Sequence, residues 1–357
     1  MQAKLPKNNS LPFNDLVFHN GDVSTRVEMM APLTEENLQR VKPSTTVIHF
    51  SSEFSDTDYL RIAEAFKVSP QAILRLWGRH RRLDFLSHFQ DVKRLELDGY
   101  YDSLDPLRLI SSNLEDLSLP IPPTDAFSLN SLQHLSQLRR LQLIGYDVQG
   151  PTQQDSQAGR IKTVPEFVKT FDAIAELPSL EVLSLGLLRL PDLGVLGRMP
   201  RLRSVSIGNC PITDISGIGM AKGLVHLHLY NLRNDHLLFL RNARRLQYLS
   251  LSHLSKIDAV PPFEDLTELR RVVLTSLNRL RNLSSIAQAP HLEDLVLDEE
   301  KSLKPSDLEC FVGHPTLKHV WTNMGSIRKD KTVGELLGLP RLGARSPFQF
   351  IDHNGCD

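Results

Sequence analysis

The chain has 357 residues, 41% of them hydrophobic and 23% charged, with a formal net charge of −1. This ordinary globular composition carries no electrostatic footprint for nucleic acid or an anionic membrane, and no apolar run approaches the ~18 residues of a membrane-spanning helix. The start, Met1 to Ser10, has two lysines but no apolar core behind them, unlike a secretory signal, and three unpaired-looking cysteines (Cys210, Cys310, Cys356) argue against a disulfide framework or a zinc knuckle, so a reducing cytoplasm is the expected compartment.

Residues 1–14 are polar and weakly patterned. Leu16–Phe18 and Val23–Met29 flank Asn20-Gly21, which predicts a hairpin. Thr34 to Val41 reads as a short helix ended by Pro43. Thr46–Phe50 reads as a strand, followed by a helix from Asp56 to Phe66 in which Ser55 and Asp58 have capping-box spacing. Ile73–Trp77 is a further strand and Leu83–Phe89 a helical turn. The pairs Ile48/Phe50, Leu74/Leu76 and Leu95/Leu97 align in steps of 26 and 21. The segment 44–91 therefore reads as two degenerate repeats and 1–43 as an N-terminal capping subdomain, since an open solenoid end exposes its core.

The repeat array is placed at 92–325. Strands are expected at Val92–Leu97, Leu114–Leu119 and Leu138–Leu143. A polar, breaker-rich insertion at 146–163 follows, then a helix over Pro165–Leu177 with Phe167, Phe171 and Ile174 on one face. The clearest units begin at Leu180, Leu202, Leu224 and Leu246, each 22 residues after the last. Each opens with Leu-x-x-Leu-x-Leu or an aliphatic variant, alternating as a half-buried strand does. Leu190/Leu193/Leu196 and Ile212/Ile215/Ile218 follow in steps of three, which suit 3₁₀ turns. Further units begin at Leu269, Leu292 and Leu317, the last with Thr322 in a leucine position. This makes ten clear strands and two degenerate ones. Val333–Leu337 reads as a short closing helix, and Phe348, Phe350 and Ile351 as part of a C-terminal cap and tail over 326–357.

This pattern resembles the short, 22-residue class of leucine-rich repeats found in bacterial internalins and in a regulatory subunit of a eukaryotic phosphatase, and is best matched from Leu202 to Ile215. The resemblance implies an α/β solenoid: a horseshoe with a parallel concave sheet, short helical or 3₁₀ convex turns, and N- and C-terminal caps. The family's ninth position holds Asn or Cys to tie down the turn. Here only Cys210 fits, while Leu188, Leu232, Leu254 and Leu277 occupy that place in other units.

The third, fifth and seventh residues of each unit point out from the sheet. Small residues floor this surface from Val182 to Gly208, beside a cluster of His226, His228, Tyr230, Tyr248 and Arg271. Aromatic residues and Arg are enriched at binding hot spots. These five, with His319 and Trp321 as a second anchor, are the expected partner-binding residues. Arg94, Glu96, Asp98, Asp116 and Arg140 read as a solvated face of paired charges. His226-x-His228 has metal-ligand spacing, with His253 one repeat along, but no acidic or thiol residue completes a tetrahedral set. No catalytic motif is present and Cys310 reads as structural, so neither catalysis nor a cofactor is expected. The expected function is a non-enzymatic module that binds a protein on the concave face, as a regulatory or inhibitory adaptor. The alternatives are a secreted bacterial effector that binds a host protein, and a small-ligand or metal receptor at the His/Tyr patch.

Overall fold

The computed structural model describes residues 25–121, 128–145, 166–341 except 191, 213 and 235, and 348–351. Among them, thirteen strands form one parallel sheet in strict sequence order. They are β1 (Arg26–Glu28), β2 (Val47–Phe50), β3 (Ile73–His80), β4 (Arg94–Tyr101), β5 (Asp116–Ile121), β6 (Arg140–Gly145) and β7 (Val182–Gly186). They continue as β8 (Ser204–Gly208), β9 (His226–Tyr230), β10 (Tyr248–Ser252), β11 (Arg271–Thr275), β12 (Asp294–Asp298) and β13 (His319–Thr322).

The register follows the repeat. Leu183, Val205, Leu227, Leu249, Val272 and Leu295 lie side by side across β7–β12, as do Leu185, Ile207, Leu229, Leu251, Leu274 and Leu297. All twelve are buried. Each such side chain contributes roughly 1.5–3 kcal/mol of burial, and none could be buried by its own unit alone. The return paths are 3₁₀ turns such as Gly194–Arg198, Ser216–Met220 and Leu238–Asn242. They bury Leu196, Ile218 and Leu240 against the strands, as the three-residue spacing predicts.

The N-terminal units are wider. Helix α1 (Glu35–Gln39) is capped by Thr34 and helix α2 (Asp56–Ala65) by Ser55, whose hydroxyl oxygen accepts the Asp58 N–H. The Asp58 carboxylate accepts the Ser55 hydroxyl instead of closing a full capping box. Large rings fill the extra width: Tyr59 stacks on Phe85 at 4.1 Å, and Phe50 packs against Phe54, Phe85 and Phe89.

Several expectations are corrected. Arg26–Glu28, inside the expected run Val23–Met29, is the first parallel strand of the common sheet, paired with β2. Leu16–Phe18 and Asn20-Gly21 lie outside the described residues, as do the 146–163 insertion and Cys356. β3 and β4 run past the expected ends to His80 and Tyr101, pairing through Gly78, at φ 82°, and Gly99, where a Cβ would meet the Gly78 carbonyl oxygen. Glu166–Glu176 winds as 3₁₀ turns, with Phe171 and Ile174 buried; the Phe167 side chain lies outside the described set. Cys310 is exposed, while Leu308 and Phe311 beside it take the core positions. The closing helix α3 spans Ile327–Leu337 and packs Val333, Leu336 and Leu337 on the solenoid end. Phe348, Phe350 and Ile351 are not part of that closure; they lie on the concave sheet.

The turn after each strand has a constant geometry. Leu187, Asn209, Asn231, His253, Ser276 and Glu299, the eighth residues of their units, all adopt φ between 50° and 57°. The N–H groups of the first five bond the carbonyl of the next unit's seventh residue. The ninth residues turn back into the core. Cys210 there donates its thiol to the Gly208 carbonyl at 3.3 Å, and burial pushes that thiol up to about 11. The turn-tying role at the ninth position also falls to Glu300, whose Oε1 accepts the Leu277 N–H at 2.8 Å.

Burial pushes the Glu300 carboxyl up from 4.5 to about 6. The folded chain therefore holds this proton over a range where the unfolded chain releases it. Its contribution is intact below about 4.5 and is lost as pH rises through about 6. Glu300→Gln keeps the acceptor and removes the charge. It is expected to raise Tm by roughly 2–4 °C at pH 8, with the gain vanishing near pH 4. Thermal melts from pH 4 to 8 test this, and a gain independent of pH would refute it.

Candidate functional site

The third residues of successive units form a continuous row across the concave face. The register aligns Arg94, Asp116, Arg140, Val182, Ser204, His226, Tyr248, Arg271, Asp294 and His319. Its two ends are charged and each is centred on an aspartate. Asp116 accepts from Arg94 Nε at 2.9 Å and from Arg140 Nε at 2.7 Å. Asp294 accepts from Arg271 Nε and Nη2 at 2.9 and 2.7 Å and lies 2.9 Å from His319 Nδ1. Arg75 on β3 pairs with Glu96 and Asp98 on β4. A cavity of about 230 Å³ lies among Arg94, Glu115, Asp116, Arg139, Arg140, Glu181 and Val182. Its other charges are also paired, Arg139 with Glu181 and Lys93 with Glu115. The expected mutual pairing of charges is thus present, extended by Arg75, but the face is not solvated throughout: Asp116, at its centre, is buried.

The middle of the row is neutral and roofed. Residues 348–351 cross it from β11 toward β9. Phe348 meets Tyr248 edge-on at 5.4 Å, and the guanidinium carbons of Arg271 and Arg270 lie 5.0 and 5.5 Å from its ring centre. Phe350 packs on Phe348 at 4.9 Å and on His226 at 6.1 Å. The Gln247 side-chain amide donates to the Ile351 carbonyl at 2.7 Å and accepts the Ile351 N–H at 2.8 Å. Arg270 Nη1 donates to the Gln349 carbonyl at 2.9 Å while its other nitrogens hold Glu293.

This arrangement divides the seven expected binding residues. His226, Tyr248 and Arg271 adjoin one another as the spacing predicts, but they are buried, at 2%, 6% and 5% exposure. The expectation that they stand open on the sheet is corrected: 348–351 covers them. His228 and Tyr230 on β9 remain half-exposed, with rings 6.5 Å apart and Tyr230 also against His253. His319 and Trp321 on β13 are half-exposed. They stand apart from His228 and Tyr230, with β10, β11 and β12 between. Gln247, Arg270, Phe348 and Phe350 were not anticipated. The first two are second residues of their units, just outside the strand positions that alternation assigns to a face.

Two Ser–His pairs have the reach of a nucleophile and base: Ser204 Oγ to His226 Nδ1 and His228 Nδ1 to Ser250 Oγ, both 2.8 Å. Burial drives His226 down to about 3, with His228 adding to the shift, and burial also lowers His228. A base that weak at neutral pH activates little. Burial pushes the Tyr248 hydroxyl up to about 12. Each histidine already directs Nδ1 at a serine, and among the described residues no group of three or more His, Cys, Asp or Glu could hold a metal ion.

No protein-family model and no curated protein sequence matches the chain. Solved structures do. An internalin (inlF) from Listeria monocytogenes aligns over 84% of this chain and 86% of its own, with TM-score 0.50 and 14% identity. The fold is a leucine-rich repeat solenoid. A second internalin (inlC2) of the same organism aligns over 62% of this chain and 84% of its own at 19% identity, TM-score 0.43. A leucine-rich repeat protein of Leptospira interrogans aligns over 87% and 92% at 13% identity, TM-score 0.41. At these identities the shared property is the solenoid itself.

The buried imidazole is directly testable. Because His226 titrates at 6.5 when unfolded and at about 3 when folded, the stability it contributes is full above 6.5 and is lost as pH falls toward about 3. Ring ¹⁵N shifts should show His226 neutral from pH 8 to pH 4. A midpoint near 6.5 would mean the site is open to water.

Proposed function

We propose that the chain is a non-enzymatic binding module that holds a protein partner on its concave sheet and acts as a regulatory or inhibitory adaptor. One observation carries this reading. The half-exposed Tyr230, with His228 beside it, stands next to a floor of Gly186, Gly208, Ser184 and Ser206 in perfect strand register. A step of aromatic side chains beside a flat glycine floor on a rigid sheet suits an anchored interface, because little freedom is lost on binding.

Scale supports it as well. Thirteen strands spaced ~4.8 Å apart make an arc of roughly 60 Å, ample for the ~800 Å² per side of a standard interface. The free thiols of Cys210 and Cys310 suit a reducing compartment, the cytoplasm. The receptor alternative loses ground because Phe348 and Phe350 fill the neutral middle of the His/Tyr patch.

Tyr230→Glu/Trp321→Glu tests the reading, since both side chains are half-exposed on the concave face. With unchanged circular dichroism, the double variant should recover at least tenfold less of the principal partner from host lysate than the wild type. Equal recovery would move the interface off these residues.

A further inference from the structure

The segment 348–351 occupies the concave face in the manner of a bound peptide. Phe348 and Phe350 are buried while Gln349 and Ile351 are exposed, the two-residue alternation of an extended chain. The seat reads the two aromatic rings and the backbone. Phe348 lies among Tyr248, Arg270 and Arg271, and Phe350 lies against His226. The backbone contacts come from side chains. Gln247 bonds both the N–H and the carbonyl of Ile351, as a neighbouring strand would, and Arg270 bonds the Gln349 carbonyl. None of these contacts reads the Gln349 side chain.

The seat lies apart from the main core, and its charges are balanced by contacts that do not involve its occupant. Phe348 and Phe350 form an apolar cluster with Val182, Val225 and Tyr248 that is separate from the main core. Arg271 and Arg270 are paired with carboxylates of the sheet itself, Asp294 and Glu293. Removing the segment therefore opens no gap between the stacked units and strands no buried charge.

From this geometry we infer that the groove over β9–β11 is a docking site for an extended protein segment of pattern Phe-x-Phe, and that residues 348–351 hold it in cis as a displaceable occupant. The inference rests on the concave binding reading and specifies the partner: a segment with two aromatic side chains one residue apart, free at the middle position, that competes with the chain's own copy. Binding at this groove is thereby autoinhibited.

The test uses the full chain and a fluorescent peptide, Phe-Gln-Phe-Ile flanked by glycines, with Ala-Gln-Ala-Ile as control. Phe348→Ala/Phe350→Ala should empty the groove without touching the sheet, which circular dichroism checks. Fluorescence polarisation should show the variant binding the Phe peptide at least tenfold more tightly than the wild type does. A Phe-Glu-Phe-Ile peptide should bind equally well, and adding Gln247→Ala should weaken binding at least tenfold. No binding to the variant, or equal binding to variant and wild type, would overturn the inference. A wild-type dimer in light scattering that the double variant makes monomeric would also overturn it, in favour of exchange of 348–351 between two copies. These outcomes require no native partner. They are therefore separable from failure of the concave reading, which the Tyr230/Trp321 variant tests at residues other than those that hold 348–351.

Discussion

A parallel strand hydrogen-bonded on both sides, with its fourth and sixth side chains turned inward, can bury those side chains only against the same positions of its neighbours and the turns behind them. The aligned rows of Leu183 to Leu295 and Leu185 to Leu297 meet that requirement across β7–β12. Register is therefore not adjustable: a slip of one residue would turn a whole strand inside out. The 3₁₀ return paths, the wide aromatic-filled N-terminal units and the α3 closure all serve the same need, to cover both ends and the back of those rows.

The alternation that builds the core also sorts the concave surface into rows, one residue type beside the next at strand spacing. Such crowding makes electrostatics a neighbour-to-neighbour matter. Where Arg and Asp alternate, as at Arg94–Asp116–Arg140 and Arg271–Asp294, the charges neutralise one another. Between them lies a neutral stretch from Val182 to Tyr248. Burial lowers the pKa of its histidine, His226, so Phe350 packs on a neutral ring, while Phe348 lies against the guanidinium groups of Arg270 and Arg271, which Glu293 and Asp294 neutralise.

Much of this could be read from the amino acids. The recurring apolar alternation at the head of each unit placed β4–β13, the inward rows, the 3₁₀ backs and the adjacency of His226, Tyr248 and Arg271, because each depends on a local pattern that repeats. What escaped the reading has no such periodic signal. β1 falls inside the expected run Val23–Met29, but its parallel pairing with β2, about 20 residues on, has no local signal. Glu300 performs the turn-tying role expected of Asn or Cys, but nothing nearby marks a glutamate as buried. The cover over the patch is the largest omission. Ile351 meets Gln247 across 104 residues of chain, and no periodicity reports a contact at that range.

The left-handed eighth residue sets a ruler within each unit. From Leu187 to Glu299 it always falls seven residues after the unit's first, although the units themselves are 22, 23 or 25 residues long. All variation in length is therefore taken up behind the sheet. An extra residue there lengthens an arc, whereas one inside the first eight would shift the hydrogen-bond ladder. Descendants of this chain are thus free to drift in the outer half of each coil and are metrically frozen in the inner half. The inner half is also the half that presents the concave face, so its side chains can be exchanged one at a time on an unchanging grid.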